Sequence, residues 1–119
     1  MQAEKCECVQ GDINDSGAVS ATLSGTEAAI SSIGIIRQFT SKGITFENLH
    51  FEGARDCMCQ CEDAGVDRFI LMSANGVKPD GTDYQKTKWL AEQYLKNTAL
   101  KWTIFRPSLV FGDPRGGNR

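Results

Sequence analysis

Ala64-Gly65-Val66-Asp67-Arg68-Phe69-Ile70-Leu71-Met72-Ser73 decides how this chain is read. Ahead of it, Leu49, Ala54, Cys57, Met58, Cys61 and Ala64 recur at helical spacing between residues 47 and 64 and can share one face. Gly65 supplies the left-handed stop that ends such a helix. Residues 68–73 then form a compact apolar run suited to a strand buried on both faces. A helix that gives way to a buried strand is one step of an alternating pattern.

The rest of the chain repeats that pattern. Upstream, residues 27–33 contain Ala28-Ala29-Ile30, closed by Ser31-Ser32-Ile33-Gly34, and predict another strand buried on both faces. Residues 18–23 predict a short helix, with a cap available in Asn14-Asp15-Ser16 and a stop at Ser24-Gly25. Cys6-Glu7-Cys8-Val9-Gln10 reads as a short strand ending at Gly11-Asp12, and residues 35–45 as irregular. Downstream, Asn75-Gly76 and Pro79-Asp80-Gly81 mark a loop. Asp83 is expected to cap a helix from Tyr84 to about residue 97, with Leu90, Ala91, Tyr94 and Leu95 as its apolar stripe. Trp102-Thr103-Ile104-Phe105-Arg106 reads as a third buried strand, ended by Pro107, which cannot donate to a ladder. Residues 112–119 read as a loop tail.

Alternating strands and helices predict an α/β chain with a parallel sheet and crossover helices, in one domain over residues 1–119. In such sheets ligands gather beyond the C-terminal strand ends. Gly11-Asp12, Ser32-Ile33-Gly34, Ser73 and Pro107-Ser108 are strand-end positions on this reading, and they converge on the edge where the helix of Tyr84 begins.

Tyr84 and Lys88 stand four residues apart at that helix start, on one face and within side-chain reach. An ammonium beside a phenol favours the phenolate, which suits Tyr84 to general acid/base work and leaves Lys88 free to hold a ribose hydroxyl. Tyr-x-x-x-Lys alone is a weak pattern; its setting strengthens it.

Composition narrows the classes. The 119 residues are 40% hydrophobic and 24% charged, with net charge −2. No basic stripe suggests nucleic acid. No apolar run approaches a membrane span of ~20 residues. The first five residues lack the apolar segment of a secretory signal, so the chain is expected to be cytoplasmic with reduced thiols.

In order and spacing the motifs resemble the short-chain dehydrogenase/reductase superfamily, in its extended and atypical branch of sugar-nucleotide epimerases and NmrA-like proteins. They are most similar to atypical members related to the complex I accessory subunit of that fold. The resemblance is carried by Val9-Gln10-Gly11-Asp12-Ile13-Asn14-Asp15, Leu23-Ser24-Gly25-Thr26-Glu27-Ala28-Ala29-Ile30, Glu52-Gly53-Ala54-Arg55, residues 64–74, residues 84–92, and Trp102-Thr103-Ile104-Phe105-Arg106-Pro107-Ser108-Leu109-Val110-Phe111-Gly112. It implies a Rossmann-like three-layer fold and an NAD- or NADP-dependent oxidoreductase or epimerase. Tyr84 would be the acid/base, Lys88 would hold the nicotinamide ribose, and Ser73 would orient a substrate hydroxyl or carbonyl. Asp12 and Ile13 would border the adenine, Ser32 and Gly34 would lie beneath the cofactor, and Pro107 and Ser108 would lie near the nicotinamide end.

The departures from that family are definite. Its glycine-rich turn, which feeds a phosphate-binding helix, has no counterpart in these 119 residues. The chain opens at what resembles the family's third strand, so the first two strands, and the strand end that separates NAD from NADP, are missing. It is expected to hold the catalytic pair and one cofactor wall, and to be weakly active or inactive alone. Two alternatives stand beside the enzyme: a non-catalytic remnant serving assembly or regulation, pairing or dimerising through an uncovered sheet edge, and a partial gene product.

Simpler readings apply elsewhere. Ser73 can equally end a strand by satisfying a backbone group, and Asp12 can be a turn residue. Arg106 is expected to pair with a carboxylate or carbonyl rather than with substrate. His50 reads as a surface or loop residue, and Trp89 and Trp102 as packing. Of the five cysteines, Cys6 and Cys8 share a strand face and Cys57 and Cys61 a helix face. This is not the knuckle spacing of structural zinc, and no metal site is expected.

Overall fold

The computed structural model describes residues 6–35 and 37–108. Its elements are α1 (Ser16–Leu23), β1 (Ala28–Ser31), α2 (Gly53–Ala64), β2 (Arg68–Met72), α3 (Asp83–Lys96) and β3 (Lys101–Phe105). A 3₁₀ turn (Thr40–Lys42) and a π-helical turn (Glu47–Glu52) lie between β1 and α2. The three strands are parallel in the order β1-β2-β3, with Ala29 opposite Phe69 and Phe69 opposite Trp102. The expected α/β architecture and parallel sheet are therefore present. The loop tail 112–119, the motif end 109–112 and residues 1–5 lie outside the described residues.

Local chemistry sets the helix boundaries. Asp15 caps α1 by accepting from the amides of Gly17 and Ala18. Gly65, at φ 77°, closes α2 with its amide donating back to Cys61 O and Glu62 O, a conformation that costs a residue with a Cβ far more. Thr82, rather than Asp83, caps α3. Its hydroxyl accepts from the Gln85 amide while the Gln85 side chain accepts from the Thr82 amide, a reciprocal box that satisfies two end donors. Asp83 occupies the first turn instead, where a carboxylate complements the helix dipole.

The core lies between the sheet and α2 and α3. Met58, Cys61, Phe69 and Leu95 are wholly buried, joined by Ala29, Leu71 and Ala91. Complete burial of each large side chain is worth roughly 1.5–3 kcal/mol. On α3 the buried face is Thr87, Lys88, Ala91, Glu92 and Leu95, while Leu90 and Tyr94 of the expected stripe are half-buried. Ala64 of the expected α2 face is exposed, because it sits in the last turn beyond the sheet's cover.

Several expectations are corrected. Residues 6–10 form no strand; they are exposed and, among the described residues, have no neighbouring strand to take their backbone groups. The strands are not buried on both faces. Among the described residues, the row of Ala29, Phe69 and Leu71 joins the core, but Ile30 is 67% exposed and Phe105 51% on the alternate positions. β3 begins one residue earlier than expected, its positions are exposed or half-buried, and Trp102 is packed only in part, against Lys96. The irregular stretch holds a small antiparallel bridge, Phe39 with Ile44, around the 3₁₀ turn. No helix among the described residues is long and apolar enough to cross a membrane.

Candidate functional site

All three strands run in one direction, so the chain leaves each of them at the same edge. Beyond β1 lie Ser32, Ile33 and Gly34; beyond β2, Ser73; beyond β3, Pro107 and Ser108. Backbone bonds lock the last two exits together: the Ser73 amide donates to Phe105 O at 2.7 Å and the Asn75 amide to Pro107 O at 3.1 Å. Asp12 and Ile13 come up beside the β1 exit. They line a cavity of about 380 Å³ together with Ser32, Ile33 and, at its base, Cys57.

On the other side of the β1 exit, Lys88 reaches inward from α3. It is only 8% exposed, and its Nζ donates to Met72 O at a long 3.4 Å. The same Nζ lies 5.8 Å from the centre of the Tyr84 ring, so the two share a face as the spacing predicts. Burial pulls the Lys88 pKa below the ordinary lysine value, and Glu92, one turn on, partly opposes this. Ser73 borders the same narrow gap, its Oγ buried without a hydrogen-bond partner among the described residues. A buried hydroxyl left so costs about 1–3 kcal/mol unless something meets it. Gly34 completes this wall: a Cβ there would stand 3.3 Å from Lys88 Nζ.

His50 is the residue that sequence reasoning missed. It is buried, not a surface residue, because the wide π-helical turn directs it under the β1 exit. The Ile35 amide donates to its Nε2 at 3.0 Å, and its Nδ1 lies 3.2 Å from Thr87 Oγ1. Phe46 stacks on one side and Tyr84 meets it edge-on at 5.1 Å. Burial first, and the Lys88 charge second, pull its pKa down to about 4. Its position three residues before Gly53, on the helix leading to the site, was the available signal.

Behind the site, Arg106 grips the fully buried Glu92 through two hydrogen bonds, the Nε–Oε2 bond being 3.0 Å. Arg106, just beyond the end of β3, thus pairs with a carboxylate as expected. Cys57 and Cys61 share the buried face of α2, and the interaction between the two thiols pushes the Cys61 thiol pKa up and pulls that of Cys57 down. Among the described residues no group of His, Cys, Asp or Glu has the arrangement to hold a metal.

The structure therefore brings Asp12, Ile13 and Ser32 together at one cavity, and Gly34, Ser73, Tyr84 and Lys88 at an adjoining wall. Pro107 borders that wall through its bond to Asn75, and Ser108 is exposed at its rim. An elongated ligand with a polar group near Ser73 and Lys88 and a flatter group at the larger cavity fits this layout.

A family model described as NAD(P)H-binding matches residues 1–119. Two curated relatives are each 27% identical over 91% of this chain. One is an N-acetyl-alpha-D-glucosaminyl-diphospho-ditrans,octacis-undecaprenol 4-epimerase of Escherichia coli O157:H7, and the other the mitochondrial NADH-ubiquinone oxidoreductase 40 kDa subunit of Neurospora crassa. The chain spans 38% and 28% of their respective lengths. The solved structure of the oxidoreductase ylbE from Lactococcus lactis superposes with a TM-score of 0.74 at 26% identity, covering 95% of this chain and 54% of that one.

Proposed function

This chain belongs to the NAD(P)H-binding family, and on that premise we propose that it carries the acid/base pair and one cofactor wall of an oxidoreductase or epimerase of the short-chain dehydrogenase type. The observation that carries this reading is two under-bonded groups held buried where two strands end beside Gly34: Ser73 Oγ, which has no partner among the described residues, and Lys88 Nζ, whose one hydrogen bond is the long one to Met72 O. Structural polar groups are normally satisfied at this depth. Groups left wanting in a cleft are candidates for ligand contacts.

The residues present fit a dinucleotide. Asp12 and Ile13 would border its adenine end over Ser32 in the larger cavity. Lys88 would hold the ribose next to the nicotinamide, with Gly34 allowing close approach and Pro107 and Ser108 bordering the far end. A bound nicotinamide supplies a hydride donor or acceptor. Tyr84 would give the substrate oxygen its proton, or take it, as the adjoining carbon is reduced or oxidised. Ser73 would hold that oxygen by a hydrogen bond. NAD and NADP are equally compatible with these residues, and the 119 residues here act in this reading as part of the site.

Titration of the chain with NADH and with NADPH, followed by fluorescence, tests the reading. Saturable binding is expected; a flat response up to millimolar cofactor counts against it. In a preparation that turns substrate over, Tyr84→Phe is expected to lower the rate about 100-fold or more with an unchanged circular dichroism spectrum. Unchanged turnover would remove Tyr84 from its role.

A second reading, assembly through the sheet, is favoured by the exposure of Ile30 and Phe105 on its uncovered face. It expects self-association in analytical ultracentrifugation. A monomer at high concentration argues against it.

A further inference from the structure

We propose that His50 is a positioning residue: as the neutral tautomer with its proton on Nδ1, it clamps the turn after β1 to the first turn of α3 and so fixes the two walls of the candidate site relative to each other. The inference rests on the reading of Gly34 as cofactor wall and of Tyr84 and Lys88 as the working pair.

The hydrogen bonds define the tautomer. A backbone amide can only donate, so the Ile35 N–H at 3.0 Å requires Nε2 to be a bare acceptor. The neutral ring then keeps its proton on Nδ1, which donates to Thr87 Oγ1 at 3.2 Å. The Thr87 hydroxyl directs its own proton chiefly to Asp83 O at 2.8 Å, with Tyr84 O also in reach at 3.1 Å. The result is a directed chain, Ile35 to His50 to Thr87 to Asp83, in which each group has one role. Its ends are the residue after Gly34 and the residue before Tyr84. Phe46 stacked on the ring and Tyr84 against its edge hold the plane in which both nitrogens point at their partners.

The clamp has a built-in condition. A proton on Nε2 would face the Ile35 amide donor and remove the bond. Lys88 is the charged group that meets His50 from α3, and it resists that proton; Tyr84 is the other titratable group on that side. The Gly34-Ile35 turn brings no titratable group. Ser73 and Met72, which border the same gap from the sheet, bring no charge, and Ala54 from α2 brings none. On the histidine's own turn the acidic residues are Glu47 and Glu52. The clamp is therefore closed at neutral pH and opens in acid.

Imidazole nitrogen shifts and the Ile35 amide exchange rate, both by NMR on the ¹⁵N-labelled chain, test this directly. Expected are an unprotonated Nε2 at pH 7, a slowly exchanging Ile35 amide, and loss of its protection, relative to core amides, as the pH approaches 4. His50→Phe keeps a ring for the stack but neither bond. It should speed Ile35 exchange at least tenfold and weaken NADH binding about tenfold, the scale of one lost buried hydrogen bond. A neutral ring with its proton on Nε2, or Ile35 exchange equal in both proteins, overturns the clamp. The wild-type tautomer decides this even if His50→Phe fails to fold. Absence of NADH binding by the wild-type chain would instead overturn the cofactor reading, and the tautomer and exchange rate would still decide the clamp.

Discussion

Lys88 and Glu92 stand one turn apart on α3, both buried and both charged, and the fold treats them in opposite ways. Glu92 is fully buried and is met by the guanidinium of Arg106 through two hydrogen bonds. Lys88 is nearly as deep, yet it has one long bond to a carbonyl, and burial pulls its pKa down. A buried charge with a fork-shaped partner ties β3 to α3. A buried charge without one is a cost that the fold bears unless a ligand repays it. The same helix thus holds a structural charge towards its C-terminus and, on the proposed reading, a ligand-binding one near its N-terminus.

Three measurements sharpen or break that contrast. The largest effect is expected from Arg106→Ala, which strands the Glu92 carboxylate. The loss should sit near the lower end of roughly 3–5 kcal/mol, because Arg106 itself is half-exposed and solvent screens its side of the pair. Urea unfolding reads it. A loss of a few tenths would mean that Glu92 is not a structural charge.

Next is acid. The folded-state pKa of His50 lies near 4, below its ordinary 6.5. The unfolded chain therefore takes up the proton first, and stability drains as pH falls from about 6.5 to about 4, at up to roughly 1.4 kcal/mol per unit. Below that window this histidine contributes no further loss. Lys88→Met should narrow the window, because one cause of the depressed pKa is removed.

The smallest effect on the fold is expected from Lys88→Met itself. Stability should be unchanged or raised by about 1 kcal/mol, while NADH affinity falls about tenfold or more. Equal damage to stability from Lys88→Met and Arg106→Ala would erase the distinction between the two charges.

Much of this was legible in the residues. The run 68–73, the stop at Gly65 and the helix from Tyr84 are local patterns, and local sterics and apolar periodicity produce them in almost any context. The Tyr84–Lys88 spacing puts both on one face by helix geometry alone. The strand expected at residues 6–10 failed because a strand exists only beside another, and alternation along a chain does not say whether a neighbour is there. His50 was misread for a similar reason. A lone histidine between Leu49 and Phe51 carries no sign of its own depth, and the π-helical turn that carries it inward leaves no clear mark in composition. Glu92 and Thr87 were passed over because burial of polar residues on a helix face depends on what the sheet and Arg106 bring to meet them.

The sequence by itself determined the parallel α/β order and the identity of the acid/base candidates, since these follow from short-range periodicity and spacing, and its motifs carried the resemblance to the family. Only the tertiary structure decided which face of the sheet is covered, which charges are compensated and which histidine tautomer joins the walls of the site. Those depend on partners 14 to 37 residues apart in the chain, brought within hydrogen-bond distance by packing.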